Sequence, residues 1–208
     1  MEDSDYFSNH ALKMRFPWSL YHGPIVRELE ASLQASPGPR ILNVGSGPFF
    51  ELSSITTEGR AITICDIEPR AIALARELHG ARIERADVVE PEGPLPYGDG
   101  EFDLVVSMEV IEHTSDPVAW TQEVLRVIRP GGALFLTTPN YDSTSLRVLE
   151  ATALEVVARL QGFSRKHIHP NKMTPARLRS VLSEAGAAEL KIDKISLGWV
   201  LAARALKL

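Results

Sequence analysis

The sequence predicts an α/β chain: a doubly wound, mostly parallel sheet with an antiparallel last strand. Three observations predict it. Short apolar runs of strand length alternate with segments of helical periodicity between residues 40 and 139. Turns rich in glycine and proline punctuate this alternation at 37–39, 45–48 and 130–132. The last two apolar runs, 189–195 and 198–206, have no helix between them. They must pair antiparallel with each other, because parallel neighbours need a long crossover.

Residues 1–39 are expected to form an N-terminal helical cap. Residues 21–34 carry Ile25, Val26, Leu29 and Leu33 at helical spacing, and Pro37-Gly38-Pro39 stops the helix. Ahead of it, Tyr6, Phe7, His10, Phe16, Trp18 and Tyr21 crowd a short segment. They either pack an arm onto the core or cap a ligand pocket.

Residues 40–208 form the main domain. Ile41, Leu42 and Val44 make a short buried strand that runs into the turn Gly45-Ser46-Gly47. Glycines there let the backbone bend sharply and come close to a ligand. Residues 51–55 are expected to be the helix that follows, completing a nucleotide-binding strand, turn and helix. A second strand at 61–67 ends near Asp66. The next helix opens at Glu68-Pro69 and runs to His79, with Gly80 just past its end. Asp66 falls ~20 residues after the glycine turn, where an acid accepts both ribose hydroxyls of an adenosine.

Residues 81–88 read as a weakly apolar third strand near a sheet edge, closed by Asp87; residues 91–100 are turn-rich. A fourth strand at 102–106 continues into Ser107-Met108-Glu109-Val110-Ile111-Glu112-His113. Asp116 caps a helix with Pro117 in its first turn, ending before Pro130. The fifth strand, 133–138, ends at Pro139-Asn140. Residues 141–170 then break the rhythm with Leu146, Leu149, Ala153, Val156 and Leu160 at helical spacing. An insertion leaving the end of a central strand lies over the ligand crevice, so it reads as a helical lid, with a dimer contact as the competing role. Thr174-Pro175 caps the last helix, which ends at Gly186.

Bulk properties narrow the partners. With 208 residues and a formal net charge of −5, the chain can bury one core and shows no basic run for nucleic acid. Its single cysteine, Cys65, precludes an internal disulfide and reads as a small buried strand residue, which makes a cytoplasmic setting the default. The first residues are acidic, with no signal-type apolar stretch, and no apolar run approaches ~18 residues, so no membrane insertion is expected.

Taken jointly, five segments resemble the class I S-adenosylmethionine-dependent methyltransferases, and within them the small-molecule group of the ubiquinone-biosynthesis type. They are Ile41-Leu-Asn-Val-Gly-Ser-Gly47, Ile64-Cys-Asp-Ile67, the run from Phe102 to His113, Arg126-Val-Ile-Arg-Pro-Gly-Gly132 and Leu136-Thr-Thr-Pro-Asn140. The resemblance covers about residues 36–206 and implies a Rossmann-like fold that binds S-adenosylmethionine, with S-adenosylhomocysteine as product. It implies that Gly45, Ser46 and Gly47 approach the methionine part and ribose, that Asp66 binds the ribose hydroxyls, and that Ile67 packs on the adenine. Asp87 would accept from the adenine amino group with the Val88 amide nearby, while Ser107, Met108 and Glu109 lie beside the sulfonium. Two positions depart from the family pattern. Asn43 stands where an acid is usual, so a neutral amide must serve the cofactor through hydrogen bonds. Phe49 stands where a third glycine often sits, so its bulk must point away from the cofactor or shape the edge of the pocket.

The implied activity is methyl transfer to an oxygen, nitrogen or carbon nucleophile of a small molecule; the alternative is a non-catalytic S-adenosylmethionine-binding partner. Transfer requires alignment of the nucleophile and exclusion of water, with a base only if the nucleophile must lose a proton. His113 is the first candidate base, because it follows the fourth strand on the ligand side; His167 and His169 follow the lid. The bland alternative for each is a loop histidine. Trp18, Tyr21 and Tyr141 are candidate walls of an acceptor pocket. No cysteine completes a ligand set around these histidines, so no metal is expected. A monomer or homodimer is equally compatible with these features.

Overall fold

In the computed structural model, residues 19–149 and 170–208 are described. The early aromatic cluster up to Trp18, most of the lid segment, and His167 and His169 lie outside them. Seven strands form one sheet in the order β3-β2-β1-β4-β5-β7-β6. These are β1 (Arg40–Val44), β2 (Ala61–Asp66), β3 (Arg85–Val88), β4 (Phe102–Met108), β5 (Ile128–Pro139), β6 (Ala188–Ile195) and β7 (Val200–Leu206). Pairing is parallel from β3 through β5, whereas β7 runs antiparallel to both β5 and β6. The helixless final hairpin thus reverses β7, as its short connection requires.

The described helices are α1 (Ser19–Gln34), α2 (Pro69–His79), α3 (Pro117–Val127), α4 (Thr144–Leu149) and α5 (Pro175–Glu184). They cover both faces of the sheet. Val26, Leu29 and Leu33 of α1 and Ile72 and Ala75 of α2 share one core with Ile41, Ile62, Ile64 and Leu104. Val124 and Leu125 of α3 and Leu178, Val181 and Leu182 of α5 share the other with Leu42, Cys65, Val105 and Leu136. Burial on both faces is why the strands read as nearly unbroken apolar runs. The caps follow the sequence. Asp116 Oδ1 accepts from the Val118 and Ala119 amides at 3.0 Å, and Thr174 Oγ1 accepts from the Arg177 amide at 3.2 Å. Each satisfies donors that have no intrahelical partner.

Three element expectations are corrected. The fifth strand begins at Ile128 and runs through Pro130-Gly131-Gly132 to Pro139, because Ile128 already pairs with Phe102 across a register shift in β4. The segment after the glycine turn is a single 3₁₀ turn, Phe50–Ser54, and not an α-helix. The 50–54 stretch contains two serines, and the chain must return to β2 within a few residues, which leaves no room for a second helical turn. The third strand begins at Arg85, because residues Gly80–Arg82 form a 3₁₀ turn that carries the C-terminal end of α2 back to the sheet. Its edge position matches the weakly apolar reading.

At the end of the sheet opposite the glycine turn, the buried Asp103 ties three segments together. Its carboxylate accepts from the Arg40 amide at 2.9 Å and pairs with the Arg40 and Arg129 guanidinium groups at 3.2 and 2.6 Å. Burial pushes its carboxyl upward, but the bonds from Arg40 and Arg129 outweigh that and bring it down to about 2.

Candidate functional site

The carboxyl ends of β1, β2, β3 and β4 meet at the point where the strand order reverses, between β1 and β4. In an open parallel sheet this is where a crevice opens for a ligand. The two glycines that follow β1 serve different ends. Gly45 has φ +69°, and a methyl group there would meet Val110 Cγ2 at 2.3 Å. Gly47 has φ +52°, and a methyl group there would enter open space. Gly45 is therefore required by packing between the β1 turn and the loop after β4, and Gly47 by its backbone angle and by room for a ligand. The turn is held from below, where the Gly45 and Ser46 amides donate to the Cys65 carbonyl at 2.9 and 3.1 Å. His79 Nε2 lies 3.2 Å from the Pro48 carbonyl and braces the far side. Because a carbonyl can only accept, Nε2 carries the proton and donates there, and burial lowers the His79 pKa.

Asp66 closes the other wall. Its Oδ2 accepts from the Gly47 amide at 2.7 Å and its Oδ1 from the Glu68 amide at 2.9 Å. Each carboxylate oxygen has two lone-pair directions, so each keeps one for a ligand hydroxyl. Beside it, Ile67 and Val88 are large apolar side chains left 58% and 51% exposed at the ends of adjacent strands. Asp66 and Val88 are register partners, so both apolar side chains stand at the ends of the paired strands β2 and β3. At the end of β3, Asp87 is partly exposed and accepts from the Tyr97 hydroxyl at 2.9 Å.

Asn43 is 1% exposed, and neither its amide oxygen nor its amide nitrogen has a hydrogen-bond partner. A buried primary amide with no partners is costly and calls for a ligand or water on it. Phe49 adopts the left-handed backbone, φ 53° and ψ 48°, and buries its ring in the core beside Leu52 and Ile55. Its bulk points away from the turn. That turn, the open lone pairs of Asp66, the exposed apolar side chains of Ile67 and Val88 and the orphaned amide together fit an adenosyl sulfonium, which has no phosphate to neutralise.

The strand-four residues separate into distinct roles. Ser107 is 1% exposed, and its hydroxyl donates to the Val44 carbonyl at 2.9 Å, so it ties β4 to β1. Met108 is partly buried at the strand end. Glu109 takes φ +58°, and its carboxylate accepts from the Tyr21 hydroxyl at 2.7 Å and the Thr137 hydroxyl at 3.2 Å. Glu112, three residues further on, is fully buried. Its Oε2 accepts from Thr138 at 2.9 Å and its Oε1 is unpartnered. Burial, and then the nearby charge of Glu109, raise its pKa well above the ordinary carboxyl range. His113 is exposed at the end of the same turn. Tyr141 opens the insertion, with its amide donating to the Met173 carbonyl at 2.8 Å. Among the described residues, no group of three or more metal-ligating side chains comes together.

Several participants escaped the sequence reading. Tyr97, Val110, Thr138 and Asn171 act through tertiary contacts that spacing does not reveal. The Asn171 backbone amide donates to the Glu112 carbonyl at 3.0 Å, and its side-chain oxygen accepts from Arg177 at 2.7 Å, so it closes the base of the insertion against the strand-four loop. The signal for Tyr97 was available: an aromatic residue in an otherwise polar, turn-rich segment needs a place to bury.

Comparison with known proteins now bears on this geometry. A family model described as a methyltransferase domain matches residues 42–136, the span from β1 into β5. The chain is 29% identical over 181 residues to a ubiquinone biosynthesis O-methyltransferase of Xanthomonas campestris pv. campestris strain B100, covering 83% of this chain and 71% of that protein. It is 33% identical over 162 residues to the protein of that name from Xanthomonas oryzae pv. oryzae strain PXO99A, covering 76% and 65%. The chain belongs to the class I S-adenosylmethionine-dependent methyltransferases. A crystal structure of a SAM-dependent methyltransferase from Aquifex aeolicus superposes with a TM-score of 0.67 at 15% identity, covering 100% of both chains, a likeness of fold. The cofactor of this methyltransferase is therefore S-adenosylmethionine.

Proposed function

We propose that this methyltransferase methylates a small-molecule acceptor, with an oxygen nucleophile first among oxygen, nitrogen and carbon. The observation that carries the reading is Asp66, whose two oxygens each keep one lone pair directed away from the Gly47 and Glu68 amides. That pattern suits a vicinal pair of ribose hydroxyls. Bound at the strand ends, S-adenosylmethionine supplies a methyl group on a positively charged sulfur. In this reading Gly45, Ser46 and Gly47 let the backbone come close to the methionine part and ribose. Asn43 supplies an amide donor and acceptor to the buried end of the cofactor. Ile67 and the Val88 amide hold the adenine, whose amino group Asp87 accepts. Met108 and Glu109 border the sulfonium, and Ser107 holds β4 against β1 behind them.

The relatives that carry the name O-methyltransferase support oxygen as the attacked atom. A hydroxyl acceptor must lose its proton, and His113, with His167 and His169 from the insertion, is the candidate base. Trp18, Tyr21 and Tyr141 would wall the acceptor. The N-terminal segment, residues 1–39, then acts as a cap, and the insertion at 141–170 as a lid or a dimer contact. A cytoplasmic setting, monomer or homodimer, without nucleic-acid partners, fits a chain with one buried cysteine and a net charge of −5. Among the described residues no helix is long and apolar enough to cross a membrane.

The test has two parts. Calorimetry on Asp66→Ala should show S-adenosylmethionine affinity reduced by about 100-fold, the loss of two hydrogen bonds to a charged acceptor. Unchanged affinity would remove Asp66 from the site. The wild-type chain, offered a panel of phenols, amines and carboxylates, should release S-adenosylhomocysteine with at least one phenol. Asn43, neutral where the family carries an acid, favours a second reading, a non-catalytic cofactor-binding partner. Binding without release on every acceptor would select it.

A further inference from the structure

We propose that Arg85 and Tyr97 are positioning residues that pin one oxygen of Asp87 and leave the other to read the adenine amino group. This rests on the reading above that Asp87 faces the adenine. Both partners bind the same atom. Arg85 Nε lies 2.7 Å from Asp87 Oδ2, and the Tyr97 hydroxyl donates to that oxygen at 2.9 Å. No donor of the described residues reaches Oδ1. A carboxylate at a partly exposed strand end would otherwise turn freely about its terminal torsion. With Oδ2 held from two directions, the carboxylate plane is set and Oδ1 is presented in one orientation.

The clamp is itself braced. The Arg85 guanidinium lies 4.7 Å above the Tyr97 ring, which meets Phe102 edge-on at 5.1 Å and an interplanar angle of 88°. The Tyr97 carbonyl accepts from Arg126 at 2.9 Å, so a buried aromatic residue is anchored from within an exposed, turn-rich segment. Cys65, the register partner of Asp87 on β2, is buried beneath it and lends no charge, since burial pushes its thiol up to about 12. The residues that would read the base are therefore supported on three sides by β2, β4 and the turn segment.

A site built to accept a hydrogen bond rejects an analogue that lacks the donor. The clamp should therefore show in discrimination between S-adenosyl-L-homocysteine and S-inosyl-L-homocysteine, in which a carbonyl replaces the adenine amino group. Calorimetry with both ligands reads the ratio of their affinities for the wild-type chain and for Asp87→Ala, Tyr97→Phe and Arg85→Met. Tyr97→Phe keeps the buried ring, and Arg85 is half exposed, so both variants should stay folded. Expected is a ratio reduced about tenfold in Asp87→Ala and at least threefold in Tyr97→Phe and in Arg85→Met, of the order of one charged hydrogen bond weakened or lost. A structural role alone would lower the melting temperature and weaken both ligands equally. If Asp87→Ala loses discrimination while both partner variants keep it, the clamp is overturned and the Asp87 reading stands. If Asp87→Ala keeps the wild-type ratio, the Asp87 reading falls and the clamp with it.

Discussion

A methyl group placed on Gly45 would lie 2.3 Å from Cγ2 of Val110, so the turn after β1 and the loop after β4 touch at the mouth of the crevice. Gly45→Ala should therefore destabilise the fold by roughly 2–4 kcal/mol, combining left-handed backbone strain with overpacking. Gly47→Ala meets no neighbour, so its cost in stability should be about 1 kcal/mol, with its main effect on cofactor affinity. Urea denaturation and calorimetry on the two variants separate these outcomes. Equal losses of stability in both would contradict the packing contact.

Tyr21 links the N-terminal helix to the strand-four loop. Its hydroxyl donates to Glu109 Oε2 at 2.7 Å, and its carbonyl accepts from Ser196 Oγ at 2.6 Å. Tyr21→Phe removes a hydrogen bond to a carboxylate at a partly buried site and should cost about 1 kcal/mol in chemical denaturation. A loss below a few tenths of that would mean water replaces the hydroxyl without penalty.

Glu112 sets a pH dependence. Its folded pKa is raised, so the folded chain holds a proton that the unfolded chain releases. The stabilising contribution is full below the ordinary carboxyl value of 4.5 and is lost as the pH rises through the raised folded value. Glu112→Gln, which resembles the protonated side chain, should match the wild type at low pH and exceed it increasingly at higher pH. Melting curves from pH 5 to 9 check this, and parallel curves for the two proteins would refute it. Glu112→Ala should cost about 1–3 kcal/mol by leaving the buried Thr138 hydroxyl without its acceptor.

Asp103 has the opposite sign. Its folded pKa is depressed to about 2 from 3.8. Its contribution, of order 2 kcal/mol, is full above the unfolded value and is lost as the pH falls through the folded one. Asp103→Asn should lower stability at neutral pH and flatten the acid limb of the stability curve between pH 4 and 2. A variant with an unaltered acid limb would show that other carboxylates dominate acid unfolding.

What the sequence determined by itself was the local chemistry. The caps at Glu68, Asp116 and Thr174 and the helixless final hairpin are each decided within a few residues and match the structure, whereas the bounds of β3 and the passage of β5 through Pro130-Gly131-Gly132 were set by pairing with neighbouring strands. Asp66 was legible because a strand and a tight turn hold a fixed spacing to the glycines. The helix expected after the glycine turn failed because the length of return to β2, a tertiary constraint, overrides weak local propensity. Only the tertiary structure decided what each polar group faces. Asn43 and Ser107 both lie on central strands, yet one is orphaned and the other spends its hydroxyl on Val44. Glu109 and Glu112 sit three apart in one motif, yet burial sets Glu112 apart, raising its pKa well above the ordinary carboxyl range, while Glu109 meets Tyr21 and Thr137 at the crevice. Desolvation and partner geometry depend on chain segments far apart in sequence, and so the glycine turn was readable from its own residues while the wall that Val110 builds against it was not.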